Sequence, residues 1–401
     1  MMGAATAMTT EKEIDSAFRS NPDYSGVKAI RYHESELKSA IQKYVRRSEV
    51  NKAVVAGLQL FRQTAPLHTA FINRVPIICI EDIGWEKIAE TVEYCEKIKK
   101  LTEFSEEKEL KKKDRSEFLI KLGTDGRKKL AEQLAIRVTE MLANEPKNKS
   151  ACWVVDIGIP RHRELYVDWR QRLEAAVDSN DPVNAAGIAN SGFKFEGEKY
   201  QPLFDEFERL SRLRGKFAEK TIKALRWRLA KGGARGCDVG IMIGGAVMAL
   251  CRSPKVPLAL MEPDYDFVNL KEVYDNPKSI KDKDLLIDWY CFDLHGFVGK
   301  FCLEIAAKKL LKEEKYKDGG GPSTYEVEKR AWKLGHLMFM EEGAMIAPWS
   351  KGEYEFHDEA YKVIYQREYG TSVEDGHKEW EKVKDRMKNL IIWGLKKFNK
   401  Q

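Results

Sequence analysis

Apolar residues recur at helical spacing along most of the chain and alternate like a strand almost nowhere. Between Glu34 and Arg47, Leu37, Ala40, Ile41, Tyr44 and Val45 fall on one side of an amphipathic helix. Ser48 follows as a candidate cap for a second helix, Val50 to Gln63. Pro66 opens a third helix that runs to about Asp82, with Pro76 inside it as a kink or break and Gly84 as its C-terminal cap. A fourth covers Trp85 to Lys100, and Arg127 to Asn144 is again amphipathic. Farther on, Asp205 to Lys231 reads as one long basic helix. Asp238 to Cys251 is apolar, and Gly240, Gly244 and Gly245 let another helix approach closely. Asp284 to Leu311, Thr324 to Glu342 and Val373 to Lys400 complete the helical segments, and Val256 to Pro263 reads as extended. No Asn-Gly or Asp-Gly turn joins two alternating runs. The pattern predicts an all-α fold, a multi-helix array of antiparallel pairs.

The breaks in this pattern suggest an organisation. Residues 1–30 are polar and read as a disordered tail. A helical domain over 31–160 carries a charged insertion at 101–125, a middle region covers 161–280, and a C-terminal helical region covers 281–401. The apolar run from Val239 to Cys251 is too short to span a membrane. The N-terminus lacks the basic start and long apolar core of a signal peptide. Seven cysteines, at 79, 95, 152, 237, 251, 291 and 302, form no Cys-x-x-Cys pair. They are expected as buried free thiols of a cytoplasmic protein, with no metal site. A net charge of +6 with 33% charged residues describes a mixed surface, which permits nucleic-acid contact without establishing it.

Several segments carry a family resemblance. A basic helix, Leu37 to Arg47, precedes a small-residue helix, Val50 to Phe61, and an apolar run closed by Glu81-Asp82-Ile-Gly84. Glu145-Pro-Lys-Asn-Lys-Ser-Ala-Cys152 follows after the charged insertion. This order resembles the C-terminal oligomerisation region, or collar, of the MgsA/RarA family, clamp-loader-like AAA+ ATPases that work at stalled replication forks. The resemblance implies a clamp-loader collar-like array that self-associates. Ala53, Ala56 and Gly57 would allow close helix approach, and Ile77, Ile78 and Ile80 would form the apolar face of a homo-oligomer. Glu81, Asp82 and Gly84 belong to the structural motif, and the acids could cap the helix that opens near Trp85. Farther along, Asp288, Asp293, His295, Gly299 and Lys300 match an element of phage and mobile-element proteins with the same collar-like domain, with Gly296 where those have threonine. Gly335 to Gly343 resembles a second segment of that group.

Candidate chemistry is sparse. A phosphate-cradling loop needs glycines before Lys-Ser or Lys-Thr, and no Gly-x4-Gly-Lys-Ser/Thr occurs. Gly232-Gly-Ala-Arg-Gly236 has the glycines but no lysine and reads as a turn. No cofactor and no catalytic residue is therefore expected. Asp293, His295 and His336 read as a polar network locking helices, with an unfamiliar enzyme site around Asp293, His295 and Glu341 as the alternative. Basic residues give a DNA-binding expectation. Arg46, Arg47 and Lys52 cluster early, and Arg212, Lys216, Lys220, Lys223 and Arg226 load the later helix, where Trp227 could stack on a base. The expected function is a non-enzymatic accessory protein of DNA replication or repair, of phage or mobile-element type. It would assemble with itself and bind DNA or a clamp-loader-like ATPase. A counter-defence factor that mimics a host replication collar is the other reading.

Overall fold

The computed structural model describes residues 33–65, 68–104, 117–231, 236–253, 268–278, 287–292, 296–316, 319–338, 340–341 and 354–398. The expected tail at 1–30, the centre of the charged insertion, the glycine turn at 232–235, the extended stretch at 256–263, and Asp293 and His295 lie outside the described residues. Every regular element among the described residues is helical, so the fold is all-α.

The chain divides into two compact units. The larger comprises Ala40–Asp282 and Ala344–Gly376, and the smaller comprises Met1–Ser39, Lys283–Gly343 and His377–Gln401. In chain order the helices are α1 Glu34–Arg46, α2 Val50–Gln63, α3 Thr69–Ile78, α4 Ile88–Thr102, α5 Glu117–Lys121, α6 Gly123–Asn144, α7 Ser150–Arg161, α8 Trp169–Asp178, α9 Pro182–Phe195, α10 Tyr200–Ser211, α11 Lys216–Ala230, α12 Gly236–Arg252, α13 Leu270–Asp275, α14 Phe297–Lys315, α15 Thr324–Met338, α16 Tyr354–Tyr369 and α17 Val373–Phe398.

In the larger unit α7 lies against α9, α12 and α16. Small residues bring the first two within backbone reach. A Cβ on Gly244 of α12 would stand 1.8 Å from the Ala151 carbonyl oxygen, and one on Gly158 would stand 2.3 Å from that of Val183 on α9. Glycine is required at both positions because the obstruction is main chain and cannot move aside. A second group forms where α2 and α4 pack on α6, and α11 packs on α4, α10 and α12. In the smaller unit α14 packs on α15. The buried Glu36 carboxylate accepts a bond from the Val298 N–H at 3.3 Å, meeting the positive end of α14 where Gly296 leaves room for it.

Four elements depart from the sequence expectation. Ser48 is not a cap: it takes a left-handed φ of 53°, and Glu49 occupies the capping position of α2 without a side-chain bond. Pro76 does not end its helix, which instead widens into a π turn over Cys79–Ile83. Gly84, with φ 117°, closes that turn through a bond from its N–H to the Cys79 carbonyl at 2.8 Å. The long basic helix is two helices, because Gly215 adopts φ 97° and turns the chain between α10 and α11. The segment 284–311 is likewise not continuous: a 3-10 turn, Trp289–Cys291, precedes α14, which starts at Phe297.

Candidate functional site

The motif acids lie in a buried ionic junction of the larger unit. The π turn aims Asp82 at α1, where the Arg46 Nε donates to its Oδ1 at 2.5 Å and Gln42 Nε2 to its Oδ2 at 2.8 Å. Arg46 Nη2 also donates to Glu81 at 3.0 Å. Arg74 of α3 donates to the Gln42 side-chain carbonyl. Lys149 places its ammonium 3.9 Å from Asp82. Arg46 and Asp82 are each 1% exposed, so the pair has left water almost completely. Burial alone would raise the Glu81 carboxyl, but Arg46, Arg74 and Lys149 together hold it below the usual carboxylate range.

The junction also joins two of the segments that carry the family resemblance. The Asn148 N–H donates to the Asp82 carbonyl at 2.9 Å, the Cys152 thiol approaches the Glu81 carbonyl at 3.7 Å, and Lys87 pairs with Glu145 at 2.7 Å. Lys147 is buried beside them and donates to the carbonyls of Leu142, Ala143 and Glu145 at 3.1, 3.0 and 2.6 Å. Burial pulls its ammonium down to about 8, opposed by Asp82 and Glu145. Three carbonyls, one for each N–H of an ammonium, favour the charged form and satisfy the end of α6. The acids do not cap the turn at Trp85; side chains of α1 occupy their oxygens. The chemistry of the junction is that of a latch between α1, the π turn and the 145–150 segment.

The DNA-binding candidates scatter. Arg46 is enclosed in the junction, and Arg47 is half-buried. Lys52 is exposed, paired with Glu49 at 2.7 Å and 5.4 Å from the Tyr44 ring centre. Arg212 does not share a face with the later lysines, because it ends α10 on the other side of the Gly215 turn. Arg226 folds back onto Asp205 and Glu208 of α10, both at 2.7 Å, and its charge is spent there. Lys216, Lys220, Lys223 and Trp227 do share one side of α11, at helical spacing. Lys223 is 67% exposed and 3.8 Å from Glu219, the acid at the edge of this stripe. Lys231 extends the stripe, with its ammonium 4.6 Å from the Trp227 ring centre.

The oligomerisation candidates are placed differently from the expectation. Ala53, Ala56, Ile78 and Ile80 are 0% exposed, Ile77 is 3% exposed, and Gly57 is buried against the Thr139 side chain. These side chains fill the core of their own chain. Of the remaining motif residues, Asp288 accepts a bond from the Tyr290 hydroxyl at 3.2 Å, and Gly299 is buried in the first turn of α14. His336 Nδ1 donates to the Trp332 carbonyl at 3.0 Å. Glu341 bonds His377 Nδ1 at 2.6 Å, a pair with no signal in the sequence. Among the described residues no group of three potential metal ligands converges. The smaller unit has an open cleft of about 410 Å³, lined by Lys309, Arg386, Asn389, Leu390 and Trp393, with Arg386 forked onto Glu313.

Sequence reasoning missed Gln42, Asn148, Lys147 and Lys149. Gln42 left no trace: it falls with Lys38, Ser39 and Arg46 on the polar side of its helix, where a glutamine reads as solvated. No protein-family model, curated protein or solved structure matches the chain. No helix among the described residues is long and apolar enough to cross a membrane.

Proposed function

We propose that the chain is a helical accessory protein of DNA metabolism that acts by binding, with no ATPase chemistry of its own. The observation that carries this reading is the sidedness of α11. Its inner side, Ala218, Thr221, Ile222, Leu225 and Leu229, is buried, while Lys216, Lys220, Lys223 and Trp227 line the other. A row of cations beside an indole suits a phosphate backbone with a base or sugar edge next to it. The buried pair of Asp82 and Arg46 is consistent with a scaffold role for the segment that resembles the MgsA/RarA collar, and a clamp-loader-like ATPase is the protein partner that this resemblance suggests.

The test is fluorescence anisotropy with a labelled duplex across a salt series. Three phosphate contacts give a log–log slope near −2.7, about a 40-fold loss of affinity between roughly 50 and 200 mM salt. The triple variant Lys216→Ala, Lys220→Ala, Lys223→Ala should flatten the slope toward zero while keeping α11, since alanine favours helix. An unchanged slope in that variant, or no binding by the parent protein at the lowest salt, refutes the reading. ATP turnover that survives repurification refutes the non-enzymatic part.

A further inference from the structure

The solvent side of α15, in the smaller unit, carries a second and different stripe. Tyr325, Lys329, Trp332 and His336 follow one another at steps of four, three and four residues, within an arc of about 60° on the helix. The opposite side, Val327, Ala331, Leu334, Leu337 and Met338, is buried. Tyr325 is 70% exposed and Trp332 55% exposed. Large aromatic rings this open are uncommon on a surface that serves only solvation. The His336 ring lies 4.4 Å, centre to centre, from Trp332 and is anchored to the Trp332 carbonyl, so the indole is braced from one side.

We propose that this face is a stacking platform for the bases of single-stranded nucleic acid. The inference deepens the DNA-binding reading above and rests on it. Three features select this occupant. The stripe holds no aliphatic side chain, so it lacks the Leu and Ile knobs that a partner helix would pack against. Its one formal charge is the Lys329 ammonium, which complements a phosphate. Of the acids of α15, Glu326 is engaged by the Ser323 and Tyr316 hydroxyls, and Glu328 lies at the edge of the stripe, about 40° round the helix from Trp332. Arg330 and Lys333 are committed to Glu379, so the flanks are close to neutral. Tyr325 and Trp332 stand seven residues apart, about 10 Å along the helix, which matches about three stacked nucleotides at 3.4 Å each. A duplex hides the faces of its bases and gains nothing from exposed rings. A single strand offers a π-face at every base, whatever its sequence.

The full chain is titrated with a labelled oligothymidylate, an abasic strand of equal length and a duplex of equal length, all at low salt. Trp332→Ala should weaken oligothymidylate binding about 5- to 150-fold, the range that loss of one base–aromatic stack produces. Duplex binding should stay within twofold, and Trp332→Phe should restore most of the single-strand affinity. The parent protein should bind the abasic strand about 5- to 150-fold more weakly than oligothymidylate, a comparison that needs no variant to fold. Equal loss on single strand and duplex, no loss in Trp332→Ala, abasic binding as tight as oligothymidylate, or no single-strand binding at all overturns the proposal. Failure of the α11 reading looks different: it removes the salt-dependent duplex signal and leaves the response to Trp332 substitutions untouched.

Discussion

Replacing Asp82 with alanine should be one of the most damaging single changes in the larger unit, and the geometry sets the size of the effect. The carboxylate takes the Arg46 Nε at 2.5 Å and Gln42 at 2.8 Å, and the guanidinium it neutralises is 1% exposed. Removing one member of a buried ion pair costs about 3–5 kcal/mol, mostly because the other charge stays behind in a medium that solvates it poorly. Arg46 would retain Glu81 at 3.0 Å, which argues for the lower end. A loss of about 3 kcal/mol corresponds to a fall in melting temperature of roughly 6–12 °C for a cooperative unit of this size. Urea unfolding followed by circular dichroism measures the change in midpoint directly. The double variant Arg46→Met, Asp82→Leu removes both charges and leaves an apolar pair in their place. It should be less destabilised than Asp82→Ala alone, since an apolar replacement of a whole buried pair is often near neutral. If Asp82→Ala lies within about 1 kcal/mol of the parent, or the double variant loses the sum of its single changes, the junction is not the latch described here.

Gly244→Ala should destabilise by several kcal/mol or abolish soluble expression, because its Cβ would meet the Ala151 carbonyl at 1.8 Å and α7 and α12 would have to separate; a melting temperature like the parent's argues against that packing. The depressed Glu81 carboxyl makes the folded state bind that proton less readily than the unfolded state, so its stabilisation is full above the ordinary value of 4.5 and is lost as pH falls through the lower folded value. Glu81→Gln should therefore flatten the decline of stability below that pH, and parallel profiles for the two proteins would count against the assignment. Lys147→Met should cost about 2–3 kcal/mol by stranding three carbonyls at the end of α6, measured by the same urea titration. Burial pushes the thiols of Cys79, Cys251 and Cys302 up to about 12, and that of Cys95 up as well, so these four should react with Ellman's reagent only after denaturant is added.

The helices were legible because their burial follows the apolar period: Ala53, Ala56, Leu60 and Phe61 of α2 are all buried, as their spacing requires. The breaks were less so. Arg212-Leu-Arg-Gly-Lys216 contains no proline, and the helical period runs straight through it, so only the positive φ of Gly215 reveals the turn. That turn has an electrostatic consequence a linear reading cannot supply, since it folds Asp205 and Glu208 back beside Arg226. Arg46 escaped for a related reason. A basic residue at the end of an amphipathic helix reads as solvated, and the acids that bury it lie 35 and 36 residues downstream. The isoleucines at 77, 78 and 80 show the complementary limit. Periodicity marks an apolar face but does not say whether the same chain or a second one covers it.

The glycine-mediated approach of α7 to α9 and α12 also governs how this unit opens and closes. Where side chains separate two helices, one can rotate or fray while its neighbour stays put. Where main chain rests on main chain, no amide of the middle helix meets solvent until both walls have moved. The amides of α7 are accordingly expected to be among the last to exchange with deuterium, at the free energy of global opening and not of local fraying. The same geometry orders assembly during synthesis. The α12 wall of α7 is supplied by residues well downstream of it, and until Gly244 has left the ribosome that side of the helix has nothing to close against.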